Sequence, residues 1–120
     1  MLTGKIMKHE TRRDQVLAVV SIVVVVLLIA LFWENNVVLT LFVAAYTAFL
    51  LKLWHETEDL RCLVFVVVVG TVSEIVSVHF GAWTYNNPTF LGIPIWLPLT
   101  WGIAVLCLRR FIIGLKGNDI

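Results

Sequence analysis

Four stretches of this chain are apolar for long enough to cross a bilayer, and polar or turn-forming residues separate them. They run over residues 16–33, 37–54, 62–83 and 91–108. A helix needs about 20 mainly apolar residues to cross the hydrocarbon core, within a range of about 17–25. Valine-rich runs such as Val23-Val24-Val25-Val26 suit strands as well as helices. Only helices and closed barrels satisfy the backbone in lipid, and segments this long read as helices. The basic N-terminal stretch followed by an apolar run has the outline of a signal peptide. The run is longer than a signal core of about 7–15 residues and no small-x-small site follows it, so it reads as an uncleaved first span.

The connections are short. Glu34-Asn35-Asn36 makes a tight hairpin, residues 55–61 a polar loop, and residues 83–90 an uncharged turn broken by Asn86-Asn87-Pro88. Short connections favour antiparallel neighbours. The expectation is an all-α, polytopic membrane bundle of about four transmembrane helices, forming one domain over residues 1–120.

Composition agrees with a lipid environment. Hydrophobic residues make up 60% of the chain and charged ones 14%, against about 45–50% and about 25% in soluble domains. Mean hydropathy is +0.95. A soluble domain this small has too little interior to hide that surface. A net charge of +1 gives no basic face for nucleic acid.

The cations set an orientation. Lys5, Lys8, Arg12 and Arg13 precede the first span, Lys52 and Arg61 flank the second connection, and Arg109, Arg110 and Lys116 follow the fourth. With four spans all nine fall on one side, and Glu34 is alone on the other. Three spans would put the C-terminal cations on the wrong side. Both termini are therefore expected in the cytoplasm, with the protein in the plasma membrane. Cys62 and Cys107 lack zinc-ligand spacing, and at cytoplasmic helix ends they are expected to stay reduced. No metal and no cofactor is expected.

Chemistry concentrates in the second half. Inside the membrane the first two spans carry only Ser21, Thr40, Tyr46 and Thr47 as polar groups. Such hydroxyls bond their own helix carbonyls, and Ala44-Ala45 with Ala48 suits close packing. Glu74 differs. It lies thirteen residues beyond Arg61, about 20 Å along a helix, and a carboxylate at that depth costs at least ~2.5–3.5 kcal/mol. It should be protonated, paired or facing a hydrated cavity, and a structural hydrogen bond to a neighbouring helix is the plain alternative to function.

Gly70, Glu74, Ser77 and Gly81 fall on one helical stripe, which turns Glu74 into the bundle. His79 is about 140° around an ideal helix from Glu74. It is a candidate relay or an interfacial histidine bonded to a carbonyl or water. Trp83 and Tyr85 suit an aromatic belt. Pro94 fits the start of the fourth helix, Pro98 frees a carbonyl within it, and Thr100 and Trp101 reach the depth of Glu74. Glu74, His79, Trp96 and Trp101 together would form an acidic, aromatic pocket able to protonate an alkene and stabilise the cation.

These residues carry a resemblance. The segment SEIVSVHFGAWTYNNPTFLGIPIWLPLTWG over residues 73–102 resembles the core of the carotenoid biosynthesis membrane proteins, which include the acyclic carotenoid (bisanhydrobacterioruberin) hydratases. Glu74, Phe80-Gly81, Tyr85, Gly92-Ile93-Pro94 and Pro98-Leu99-Thr100-Trp101 match its pattern. Trp83 stands where the family has tyrosine, and His79 where it has a small residue. The resemblance implies a carotenoid or other isoprenoid ligand among membrane lipids. Glu74, with His79, would be the acid–base group, and Ser77, Trp83, Tyr85, Trp96, Pro98, Thr100 and Trp101 would line the site.

Two other readings use the same residues. A non-catalytic subunit or scaffold needs them only for packing and anchoring. A small proton-coupled transporter resembles the small multidrug resistance proteins in size, although their glutamate lies in the first helix. Four short helices enclose little volume, so a homodimer or a place in a larger membrane complex is expected.

Overall fold

A computed structural model describes residues 8–118. Four helices follow one another: α1 (Lys8–Phe32), α2 (Asn36–Leu53), α3 (Thr57–His79) and α4 (Leu97–Asn118). All four are long and apolar enough to cross a membrane. No strand occurs among the described residues. The chain is an all-helical bundle of a membrane protein. Valines and leucines stand exposed along the helices, Val23, Leu41, Val68 and Val72 among them. In water such surface costs about 25 cal/mol per Å², and lipid removes that cost.

The hub is α4, which packs against each of the other three helices, while α1 and α3 flank it without packing on one another. Small residues allow the close approaches. A Cβ on Gly70 would lie 2.6 Å from the Trp101 ring, and one on Gly102 would lie 2.6 Å from Leu63. The α1–α2 hairpin closes at Asn35, whose side chain accepts from the Val38 N–H and caps α2. Leu39, Val43, Thr47 and Leu50 then form the buried face of α2. Ser21 and Tyr46 hydrogen-bond at 2.9 Å, a link between the two helices that differs from the expected bond of each hydroxyl to its own helix. Thr47 does bond its own helix, donating to the Val43 carbonyl.

The expected first two spans match α1 and α2 within a residue or two at the hairpin, and α1 begins earlier, at Lys8. The second half differs. The third helix ends at His79 and the fourth begins at Leu97, so the connection is 80–96 rather than 83–90. The stop is a Schellman turn. The Gly81 N–H bonds the Val78 carbonyl, the Ala82 N–H bonds the Ser77 carbonyl, and Gly81 has φ +84°. Gly81 therefore ends the helix and does not continue the stripe. Pro98 is the second residue of α4, where an N–H would have no helical role, and the Pro94 carbonyl that a residue there would bond accepts from the Leu97 N–H. It frees no carbonyl inside the span.

The two ends of the bundle differ in charge. Arg12, Arg13, Lys52, Arg61, Arg109, Arg110 and Lys116 all lie toward the end where α1 and α3 begin and α2 and α4 finish. Lys5 lies outside the described residues. At this basic end the Asp59 side chain is fully buried at 0% exposure. It accepts from Arg109 at 2.5 Å and from Arg110, and also from the Glu56 N–H at the start of α3. Glu56 and Asp14 flank the same guanidinium groups, and Arg110 sits over the buried Trp54 ring. Polar residues read as loop thus form an ion cluster that ties α1 and α3 to α4.

Candidate functional site

Glu74 is held by the 80–96 connection. The Trp83 indole donates to its Oε1 at 3.1 Å, and the Tyr85 hydroxyl donates to the same oxygen at 2.5 Å. Among the described residues no hydrogen bond reaches Oε2. Because the Schellman turn reverses the chain right after His79, Trp83 and Tyr85 fold back over the last turns of α3. Their donation to Glu74 was not legible from spacing, since it depends on that reversal.

The carboxyl lines a groove of about 290 Å³ together with Thr100 and Trp101 from α4 and Ile22, Val25 and Ile29 from α1. This is the gap left because α1 and α3 do not meet. Ile22 and Ala104 also line a second, almost wholly apolar groove of about 380 Å³, which runs past Cys107 to Phe111. The two form one trench along the α1–α4 seam. From Leu97 to Phe111 it follows α4 for about 21 Å at 1.5 Å per residue. The Trp101 ring is seated against Gly70, and its indole N–H is buried without a hydrogen-bond partner.

The other candidates lie elsewhere. Trp96 is buried and donates to the Asn36 side chain. With Tyr85, Asn87 and Pro94 it lines a separate pocket at the end opposite the cations. There Asn36 donates to the Asn87 carbonyl and Asn87 to that of Trp33, which binds the connection to the α1–α2 hairpin. His79 does not join Glu74. It faces another groove, with Phe80, Leu91 and Gly92, as the 140° separation requires. The pocket expected from Glu74, His79, Trp96 and Trp101 is therefore split, and Tyr85 takes the place beside Glu74. Ser77 contributes its carbonyl to the helix stop. Thr100 donates its hydroxyl to the Leu97 carbonyl while lining the trench. Among the described residues no cluster of three or more His, Cys, Asp or Glu could hold a metal.

Burial, then the Glu74 hydrogen bond and charge, push the Tyr85 phenol up from 10.0 to about 12. The folded protein keeps this proton where the unfolded chain gives it up. That contribution to stability is full below pH 10 and is lost as pH rises toward 12. In a difference titration of wild type against Tyr85→Phe, the missing phenolate absorbance is expected near pH 12. A transition near pH 10 would mean that Tyr85 is neither buried nor bonded to Glu74.

No protein-family model, curated protein or solved structure matches this chain.

Proposed function

We propose that this chain is a plasma-membrane protein, with both termini in the cytoplasm, that binds an isoprenoid-like lipid in the α1–α4 trench and exchanges a proton with it at Glu74. The observation that carries the reading is the placement of Glu74, Thr100 and Trp101 on one apolar groove that continues along the seam. A trench so poor in polar groups suits an elongated hydrocarbon, and its gap between α1 and α3 opens toward lipid. The orientation rests on the cation-rich end of the bundle.

The chemistry follows from the carboxyl. Oε1 is occupied by Trp83 and Tyr85, which leaves Oε2 to carry the exchanged proton. Transfer from Oε2 to a terminal alkene carbon forms a C–H bond and breaks the π bond. The resulting tertiary cation is stabilised by an adjacent aromatic face, for which Trp101 is placed. Water then forms the C–O bond, and its surplus proton returns to the Glu74 carboxylate. The balance is alkene plus water to alcohol, the reaction that the resemblance over residues 73–102 implies.

The same two hydrogen bonds favour a second reading, in which Glu74 only clamps the 80–96 connection within a scaffold. The full chain in phosphatidylcholine vesicles, supplied with an acyclic carotenoid, separates them. Wild type is expected to shift the polyene absorption and to yield a product heavier by one water. Glu74→Gln, which still accepts from Trp83 and Tyr85, is expected to bind the polyene and form no product. Equal yields from both proteins would assign Glu74 to the clamp. No spectral shift with wild type would remove the isoprenoid reading.

A further inference from the structure

From Ile75 to Leu108 the chain contains no Lys, Arg, Asp or Glu. That stretch includes all 17 residues of the connection between His79 and Leu97. Loops that run through water are usually polar at their tips, and the α1–α2 hairpin at the same end does carry Glu34. The 80–96 connection exposes Thr84, Asn86 and Thr89 but no charge, and it carries Phe80, 81% exposed, Leu91, 70% exposed, and Ile95, 50% exposed.

Its tip is a two-residue turn closed by paired hydrogen bonds between Phe90 and Ile93. Leu91 has φ +49° and Gly92 φ +87°, the signs of a type I′ turn, in which Asn or Gly is the relaxed choice at the first position. A leucine there is strained. Its side chain is 70% exposed, so little packing inside the fold compensates for the strain. The turn is pinned to α3, because a Cβ on Gly92 would meet Val78 at 2.7 Å. A groove of about 510 Å³, lined by Val76, Val78, His79, Phe80 and Leu91, then runs from the exposed apolar side of α3 to the tip. The apolar surface of the connection is thus continuous with that of a span. Much of its backbone is satisfied internally, at the Schellman turn, at the Phe90–Ile93 turn and through Asn36. Non-helical backbone at membrane depth has that requirement.

We infer that Phe80 and the 90–95 part of this connection form a wedge set among the acyl chains of the leaflet opposite the cation-rich end, with Phe80, Leu91 and Ile95 in direct contact with lipid. Its occupant is the membrane itself, and the inference stands independently of any chemistry at Glu74.

The test uses the full chain with Cys62→Ala and Cys107→Ala, a nitroxide spin label on Leu91→Cys, and phosphatidylcholine vesicles. Glu34→Cys, at the same end, supplies the water-exposed reference. Collision rates with oxygen, which partitions into lipid, and with a water-soluble nickel chelate report the surroundings. The oxygen-to-nickel ratio at position 91 is expected to exceed that at position 34 several-fold. Equal ratios would place the turn in water and overturn the inference. Shielding from both reagents would mean that a protein surface, such as a second copy, covers the turn, and would overturn it equally. Ile95→Cys, on ordinary backbone, repeats the measurement should Leu91→Cys not fold.

Discussion

Asp59→Ala is expected to destabilise the bundle by about 3–5 kcal/mol, the range for removing one partner of a buried ion pair. The carboxylate is fully buried and accepts from both Arg109 and Arg110. Its loss leaves two guanidinium groups, one of them itself buried, with only Glu56 and Asp14 nearby at 3.5–3.8 Å. The cost comes chiefly from those stranded cations, so a second change identifies it. Arg109→Ala is expected to be costly in the wild-type background and much cheaper once Asp59 is gone. Unfolding by sodium dodecyl sulfate in mixed micelles, followed by far-ultraviolet circular dichroism, measures all four proteins of the cycle. Additive effects of the two substitutions would show that the pair contributes no coupling.

Gly70→Val carries the second large effect. Trp101 atoms lie 2.6, 2.8 and 2.9 Å from the position of even a first carbon on Gly70. An indole is rigid, so it cannot yield as the end of a flexible chain does. Overpacking of this kind costs typically 1–3 kcal/mol, and the branched side chain places this site at or above the upper figure. The displaced ring has the trench on its open side, where it lines the wall with Glu74. Gly70→Val is therefore expected to lower the thermal midpoint and weaken binding of a long apolar ligand together. Pairing it with Trp101→Phe, a smaller ring, should recover part of the stability. If Gly70→Val alone unfolds as wild type does, the ring is not seated against α3.

The first two spans were readable because hydropathy drops sharply at Glu34-Asn35-Asn36, a feature local to the chain. The bounds of the 80–96 connection escaped the same reasoning because apolar, uncharged residues flank Asn86-Asn87-Pro88 on both sides although they are not helical. The local signals, Phe80-Gly81 and Asn86-Asn87-Pro88, mark a stop and a turn but not how far the connection runs. Glu74 and Trp101 could be placed on one depth by counting residues. The bonds from Trp83 and Tyr85 could not, because a tight reversal places them. Asp59 looked like one more charge in a polar loop. Its burial exists only because α4 delivers two adjacent arginines to the same point, a long-range fact that no window of sequence contains.

The ion cluster also fixes an order of events during biosynthesis. Asp14, Glu56 and Asp59 all leave the ribosome before Arg109 and Arg110 do, since synthesis runs from the N-terminus. Until α4 arrives, Asp14 already has Arg13 beside it, but Glu56 and Asp59 lack the two guanidinium groups that they pair with in the finished fold, and α1 and α3 have no shared neighbour. A chain halted after α3 presents Glu56 and Asp59 without their partner arginines, a mark by which quality control can tell the unfinished protein from the finished one.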